Sequence, residues 1–301
     1  MTAKQEIILR IAKDGWIPDL SLTNFPQLPD KANPVENLEA ALEAIEKLNL
    51  GCVSISAQRQ DYPNLINYAM KNTRGITAGV HSLLDTPHAL RLARQHELHC
   101  PRYLHYSGSR VKMRAKIITS QGGFSRKTYK IVGKESVMIA GGTTPSEWQA
   151  EWEKGANFVK FPGVELLPPN YLATYQPSLH NLIPFYVSGY FITPDMRMDK
   201  EKLKAAVSPY IKAGTFTFGL GYPFRPRKPE DNIKQGSLSV EEIVEKGRLL
   251  LQAIKEVRQE TNITITNRFG EKAFTGTLYD AIAGADNYAQ LVKRTGRSFN
   301  A

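Results

Sequence analysis

Cysteine is nearly absent from this chain: Cys52 and Cys100 are the only two in 301 residues, far apart and outside any Cys-x-x-Cys spacing. That excludes a disulfide framework and a cysteine-based metal site, and it fits a reducing cytoplasm. Long apolar runs are also missing; none approaches the ~18 residues that a membrane span requires, so no membrane partner is expected. The opening Met1-Thr-Ala-Lys-Gln-Glu6 starts a charged amphipathic segment and lacks a signal peptide's apolar stretch. A cytoplasmic location is the resulting expectation. There is no P-loop, no Gly-x-Gly-x-x-Gly after a first strand and no His-Glu-x-x-His, so neither a cofactor nor a metal is expected.

Acid is missing from one segment. Residues 101–134 contain nine basic side chains (Arg102, Arg110, Lys112, Arg114, Lys116, Arg126, Lys127, Lys130 and Lys134) and no Asp or Glu. The net charge of +10 therefore belongs largely to this stretch, and whatever it attracts should be anionic. Tyr103, Phe124 and Tyr129 are interleaved with the cations, a pattern compatible with stacking on nucleic acid. No recognised nucleic-acid fold accompanies it, so nucleic acid ranks last among the partners.

What is present is strand–helix alternation. With 42% hydrophobic and 23% charged residues the chain has material for a full core. Eight short runs rich in β-branched and aromatic residues read as strands: 17–22, 52–56, 76–80, 102–106, 137–140, 158–161, 183–187 and 215–220. Amphipathic helices are predicted between most of them, at 35–48, 87–99, 146–154, 199–213 and 239–260. Thr144-Pro-Ser-Glu147 reads as a helix cap with proline in the first turn, and Ser239-Val-Glu-Glu242 as a capping box. Eight alternations predict an α/β fold, a (β/α)8 TIM barrel over residues 1–260. Two stretches interrupt it. Residues 111–119 and 128–132, on either side of Ser120-Gln-Gly-Gly123, read as a β-hairpin-like insertion after strand 4, spanning 108–134 and carrying the basic cluster. Residues 261–301, with a strand near 263–266 and a helix near 278–294, read as a C-terminal extension docking on the barrel or on a neighbouring subunit.

The residue with most chemical content is Lys160, a lone lysine in Phe158-Val-Lys-Phe-Pro-Gly163. Burial lowers a lysine's pKa, and the neutral amine can attack a carbonyl carbon to form a Schiff base. A strand-end lysine packing its stem and reaching water with its head is the other reading. Acid–base partners for a Schiff base would come from His81, after strand three, and His105, at the end of strand four, where barrel active sites form. Asp19, Tyr106 and Tyr190 are further candidates. Gly189, Gly219 and Gly221 fall after strands seven and eight, where barrels bind phosphate, and Tyr222-Pro-Phe-Arg-Pro-Arg-Lys228 with Arg225 follows. Turn glycines and a solvated basic loop explain the same residues equally well.

Taken in order, strands five and six resemble the 2-keto-3-deoxy-6-phosphogluconate (KDPG) / 4-hydroxy-2-oxoglutarate aldolase family. Ile139-Ala-Gly-Gly-Thr-Thr-Pro-Ser-Glu147 is similar to that family's "PGVATPSE", and Gly155-Ala-Asn-Phe-Val-Lys-Phe-Pro162 to its "GAD-x-x-K-x-FP" strand, whose lysine forms the Schiff base. Weaker likenesses are Ile76-Thr-Ala-Gly79, Tyr106-Ser-Gly108 with Ser107, and Ser188-Gly189. The sequence departs from the pattern where the family's catalytic glutamate would stand, at Ser54. Arg59 lies one position past the family's arginine, and Val80 and Tyr190 replace a threonine and a glycine. The resemblance implies a class I aldolase or lyase that releases or adds pyruvate from a 2-keto acid, phosphorylated or not. It also implies a homo-oligomer, a trimer or higher. A barrel without chemistry, serving binding or assembly through its basic insertion and C-terminal extension, is the alternative.

Overall fold

A computed structural model describes residues 1–20, 34–56, 62–73, 75–83, 103–104, 110–111, 115–161, 164, 168–175, 183–189, 191–224, 239–266 and 271–296. Eight parallel strands close into a barrel: β1 (Trp16–Leu20), β2 (Cys52–Ser56), β3 (Thr77–Leu83), β4 (Ile117–Ser120), β5 (Val137–Gly141), β6 (Phe158–Phe161), β7 (Phe185–Ser188) and β8 (Thr215–Leu220). Each pairs with its sequence neighbour and β8 closes on β1. The expected (β/α)8 barrel is therefore the fold.

Helices follow the strands: α1 (Ala3–Asp14) enters the barrel, then come α2 (Pro34–Lys47), α3 (Tyr62–Asn72), α4 (Arg126–Val132), α5 (Pro145–Lys154), α6 (Pro169–Tyr175), α7 (Lys200–Lys212) and α8 (Val240–Glu260). Local chemistry sets their ends. Thr144 caps α5 by accepting from the Glu147 amide, Glu147 bonds back to the Thr144 amide, and Pro145 fills the first turn. Ser239 and Glu242 form the same reciprocal pair at α8. Gly15 ends α1 at φ 72°, a left-handed conformation that glycine adopts without a Cβ clash.

The fourth strand corrects the sequence reading. Of the expected strand 102–106, Tyr103–Leu104 is described and lies outside the barrel; Ile117–Ser120 sits between β3 and β5 instead, all four residues buried. Ile117 and Ile118 are thus core residues, and offer no contact surface. Residues 128–132 are helical within α4, where the Ser125 hydroxyl accepts from the Thr128 amide and Thr128, Tyr129 and Val132 are buried at helical spacing. Among the described residues, Gly122-Gly123 joins β4 to α4, so the expected hairpin across it is not formed. A short antiparallel ladder, Tyr103–Leu104 with Arg110–Val111, precedes that strand. The cations Arg126, Lys127 and Lys130 stand exposed on α4, and Lys116 pairs with Glu135 at 3.4 Å. Phe124 and Tyr129 are buried and meet edge to face at 5.8 Å, so neither is a surface for stacking a base. The helix read at 87–99 lies outside the described residues.

After α8, β9 (Asn262–Thr266) pairs antiparallel with β10 (Lys272–Thr277), and α9 (Leu278–Ala281) and α10 (Tyr288–Thr295) follow. Leu278, Ile282 and Leu291 are fully buried and belong to the same apolar core as the barrel. Arg258, at the end of α8, donates to the carbonyls of Lys13 and Phe216 and so ties that helix to the end of α1 and to β8.

Candidate active site

Strand alternation decides which residues line the barrel. Trp148 on α5 packs against Phe161 at 5.7 Å and Phe185 at 5.1 Å between ring centroids, so these two face the helices. Their neighbours Lys160 and Tyr186 consequently point inward. The two are register partners on adjacent strands, and Gly141 of β5 is the partner of Lys160 on its other side. Lys160 is 3% exposed. Its apolar neighbours in sequence hold the strand on the helical layer while the amine is directed into the barrel.

Across the interior stand Asp19 on β1, Ser54 on β2 and His81 on β3. Asp19 and Ser54 are register partners, as are Ser56 and His81. The Tyr186 hydroxyl lies 3.1 Å from both carboxylate oxygens of Asp19 and donates to them. His81 Nδ1 is 3.1 Å from Ser54 Oγ and 3.9 Å from Asp19 Oδ1. A polar chain thus runs from β7 through β1 to β3 and β2. Burial, reinforced by the adjacent Asp19 carboxylate, holds the Tyr186 hydroxyl well above its ordinary pKa, so it is a protonated donor.

Gly219 on β8, between β7 and β1, makes the crossing possible. A Cβ there would collide with the Tyr186 hydroxyl and lie 2.7 Å from Asp19 Oδ2. The glycine is required for space.

Of the residues that the sequence singles out, Lys160, His81, Asp19 and Gly219 share the barrel interior. His81 lies within β3, where the sequence reading had it follow the strand, and it is buried. Gly189 ends β7 at φ 149°, and Gly221 follows β8, where its carbonyl accepts from the Phe224 amide. Arg59, His105, Tyr106, Ser107, Tyr190 and Arg225 lie outside the described residues. Cys52 is buried, and burial pushes its thiol pKa up, which leaves it a poor nucleophile. Tyr186 is the residue that sequence reasoning missed. Its signal was parity: in Phe185-Tyr-Val-Ser188 it alternates with outward Phe185 and Val187.

No protein-family description matches this sequence, and no curated protein does. Solved structures resemble it in fold at low identity. A 2-keto-3-deoxy-6-phosphogluconate aldolase from Zymomonas mobilis aligns at TM-score 0.54 and 14% identity, over 82% of this chain and 95% of that one. The KDPG aldolase of Legionella pneumophila, captured with pyruvate as a covalent carbinolamine, aligns at 0.52 and 14%, over 84% and 98%. A chain of a cube-shaped cage designed by fusing symmetric oligomeric domains aligns at 0.56 and 16%, over 82% and 74%. Among the described residues no helix is long and apolar enough to cross a membrane. The chain has the barrel of the KDPG aldolases, a distant likeness of fold.

Proposed function

We propose that this protein is a class I, Schiff-base aldolase or related lyase acting on a 2-keto acid, with Lys160 as the nucleophile and pyruvate released or added. The observation that carries the reading is a lysine buried inside the barrel on β6, with its register partner Tyr186 hydrogen-bonded to an interior carboxylate. Neutral Lys160 Nζ would attack the C2 carbonyl carbon, and the resulting hydroxyl would leave as water after gaining a proton. The iminium then accepts electrons from the C3–C4 bond as a base takes the C4 hydroxyl proton and the aldehyde departs. Protonation of the enamine at C3 and hydrolysis return pyruvate and the free amine. Every step needs a proton donor or acceptor near the lysine. His81, buried and facing Asp19, supports that requirement.

A homo-oligomer belongs to the same proposal, supported by the similarity to a chain built from symmetric oligomeric domains; mass in solution tests it. The reading of a barrel without chemistry is favoured by Ser54, which holds His81 where the resemblance implies a glutamate. Borohydride reduction in the presence of pyruvate, followed by peptide mass spectrometry, separates the two. The aldolase reading expects a reduced adduct on Lys160 and none in Lys160→Met. An unmodified lysine would leave the binding reading.

A further inference from the structure

A Schiff-base lysine enters the reaction only after giving up a proton, and its carbinolamine hydroxyl leaves only after gaining one. Ser54 stands at the β2 position where an acid is implied, and a serine hydroxyl does not titrate near neutrality. The interior carboxylate belongs to β1, and Tyr186 reaches it from the strand beside Lys160.

We propose that Tyr186 and Asp19 form the proton relay of Lys160, with Gly219 as the positioning residue that lets the two meet; the assignment rests on the Schiff-base reading of Lys160. Three observations carry it. Tyr186 and Lys160 are register partners, so their side chains leave strands roughly 4.8 Å apart at one height and on one face. The Tyr186 hydroxyl commits its only proton to Asp19, which leaves the oxygen as an acceptor toward neighbouring donors. Gly219 lacks the one atom that would block the contact.

The transfer balances as a concerted shift. A Lys160 N–H bond breaks as an O–H bond forms on Tyr186, while the tyrosine's original proton moves to an Asp19 oxygen. Ammonium and carboxylate become amine and carboxylic acid. No phenolate accumulates, which matters because burial and Asp19 oppose ionisation of this hydroxyl. Run in reverse, the relay returns the proton to the departing carbinolamine hydroxyl. Among the described residues, the titratable groups that strand register puts on the interior face are Asp19, Cys52, His81, Lys160 and Tyr186. His81, at 3.9 Å from Asp19 Oδ1, would assist by bearing on the charge of that carboxylate.

The test is the rate of borohydride-trapped pyruvate adduct formation on Lys160, read by mass spectrometry from neutral to alkaline pH. Wild type, Tyr186→Phe, Asp19→Asn and Gly219→Ala are compared. Tyr186→Phe keeps the ring and carries the test if the other variants fold poorly. The relay predicts that Tyr186→Phe and Asp19→Asn still form the adduct, roughly a hundredfold more slowly near neutrality. The deficit should shrink as alkali deprotonates Lys160 directly. A Tyr186→Phe protein with the wild-type rate and pH profile would overturn the relay while leaving Lys160 as nucleophile. Wild type without an adduct would overturn the Schiff-base reading, and the relay with it.

Discussion

Glu151 shows how much one buried side chain organises here. Its carboxylate accepts from the Phe124 amide at 3.0 Å and the Tyr129 hydroxyl at 2.7 Å, and it pairs with Lys154. Removing it strands buried donors, which costs more than the net value of the bonds. Glu151→Ala should therefore lower unfolding free energy by about 3 kcal/mol in urea titration; a change below about 0.5 kcal/mol would contradict the account. Lys4 offers a pH test. It donates to the Gly133 carbonyl at 2.6 Å, and burial lowers its pKa to about 8. Because the folded value lies below the unfolded one, near 10.5, the folded state sheds its proton first as pH rises. The penalty for holding the charge is complete below pH 8, and stability should climb between about 8 and 10.5. Lys4→Met should flatten that climb relative to wild type; an unchanged slope would rule out Lys4 as its source.

At the scale of elements, α5 is the support behind the lysine strand. Trp148, fully buried, touches Phe161 and Phe185 and donates its indole N–H to the Gly142 carbonyl at 2.6 Å. Trp148→Ala should cost about 3–5 kcal/mol, as large aromatic deletions in cores do, whereas Thr144→Ala at the cap should cost about 1 kcal/mol. Comparable losses in the two variants would contradict the division between packing and capping. These elements were legible in the sequence because buried parallel strands are short β-branched runs and capping boxes carry a fixed spacing. β2, β6 and β8 fall where the residues predict them. The fourth strand was not legible. Ile117-Ile-Thr-Ser is four residues long and sits inside a cationic stretch, and the Gly122-Gly123 pair after it reads as a hairpin turn when it is the β4–α4 connection. Lys160 was legible as a polar residue in an apolar strand, and His81 as a histidine beside one, read as following the strand that in fact contains it. Tyr186 was hidden because a tyrosine among Phe185 and Val187 looks like core until the barrel places Asp19 opposite it.

At the scale of the whole molecule, closure is what turns scattered residues into a candidate site. Asp19 and Lys160 are 141 positions apart in sequence, yet β1 and β6 face one interior, and the Tyr186–Asp19 bond crosses over Gly219 to join β7 to β1. Arg258 of α8 joins the end of α1 to β8 beneath the barrel, away from the strand ends where barrel active sites form. The central claim is that the buried amine on β6 forms a covalent bond with a 2-keto acid. Its most direct test is borohydride trapping with pyruvate on wild type and Lys160→Met, with peptide-level mass spectrometry and a melting curve for each. The account predicts a reduced pyruvate adduct on Lys160 alone, lost in Lys160→Met together with any aldol cleavage, by a factor above roughly a thousand and without loss of the fold. A folded wild-type protein that forms no adduct, or a Lys160→Met protein that keeps its cleavage activity, would contradict it.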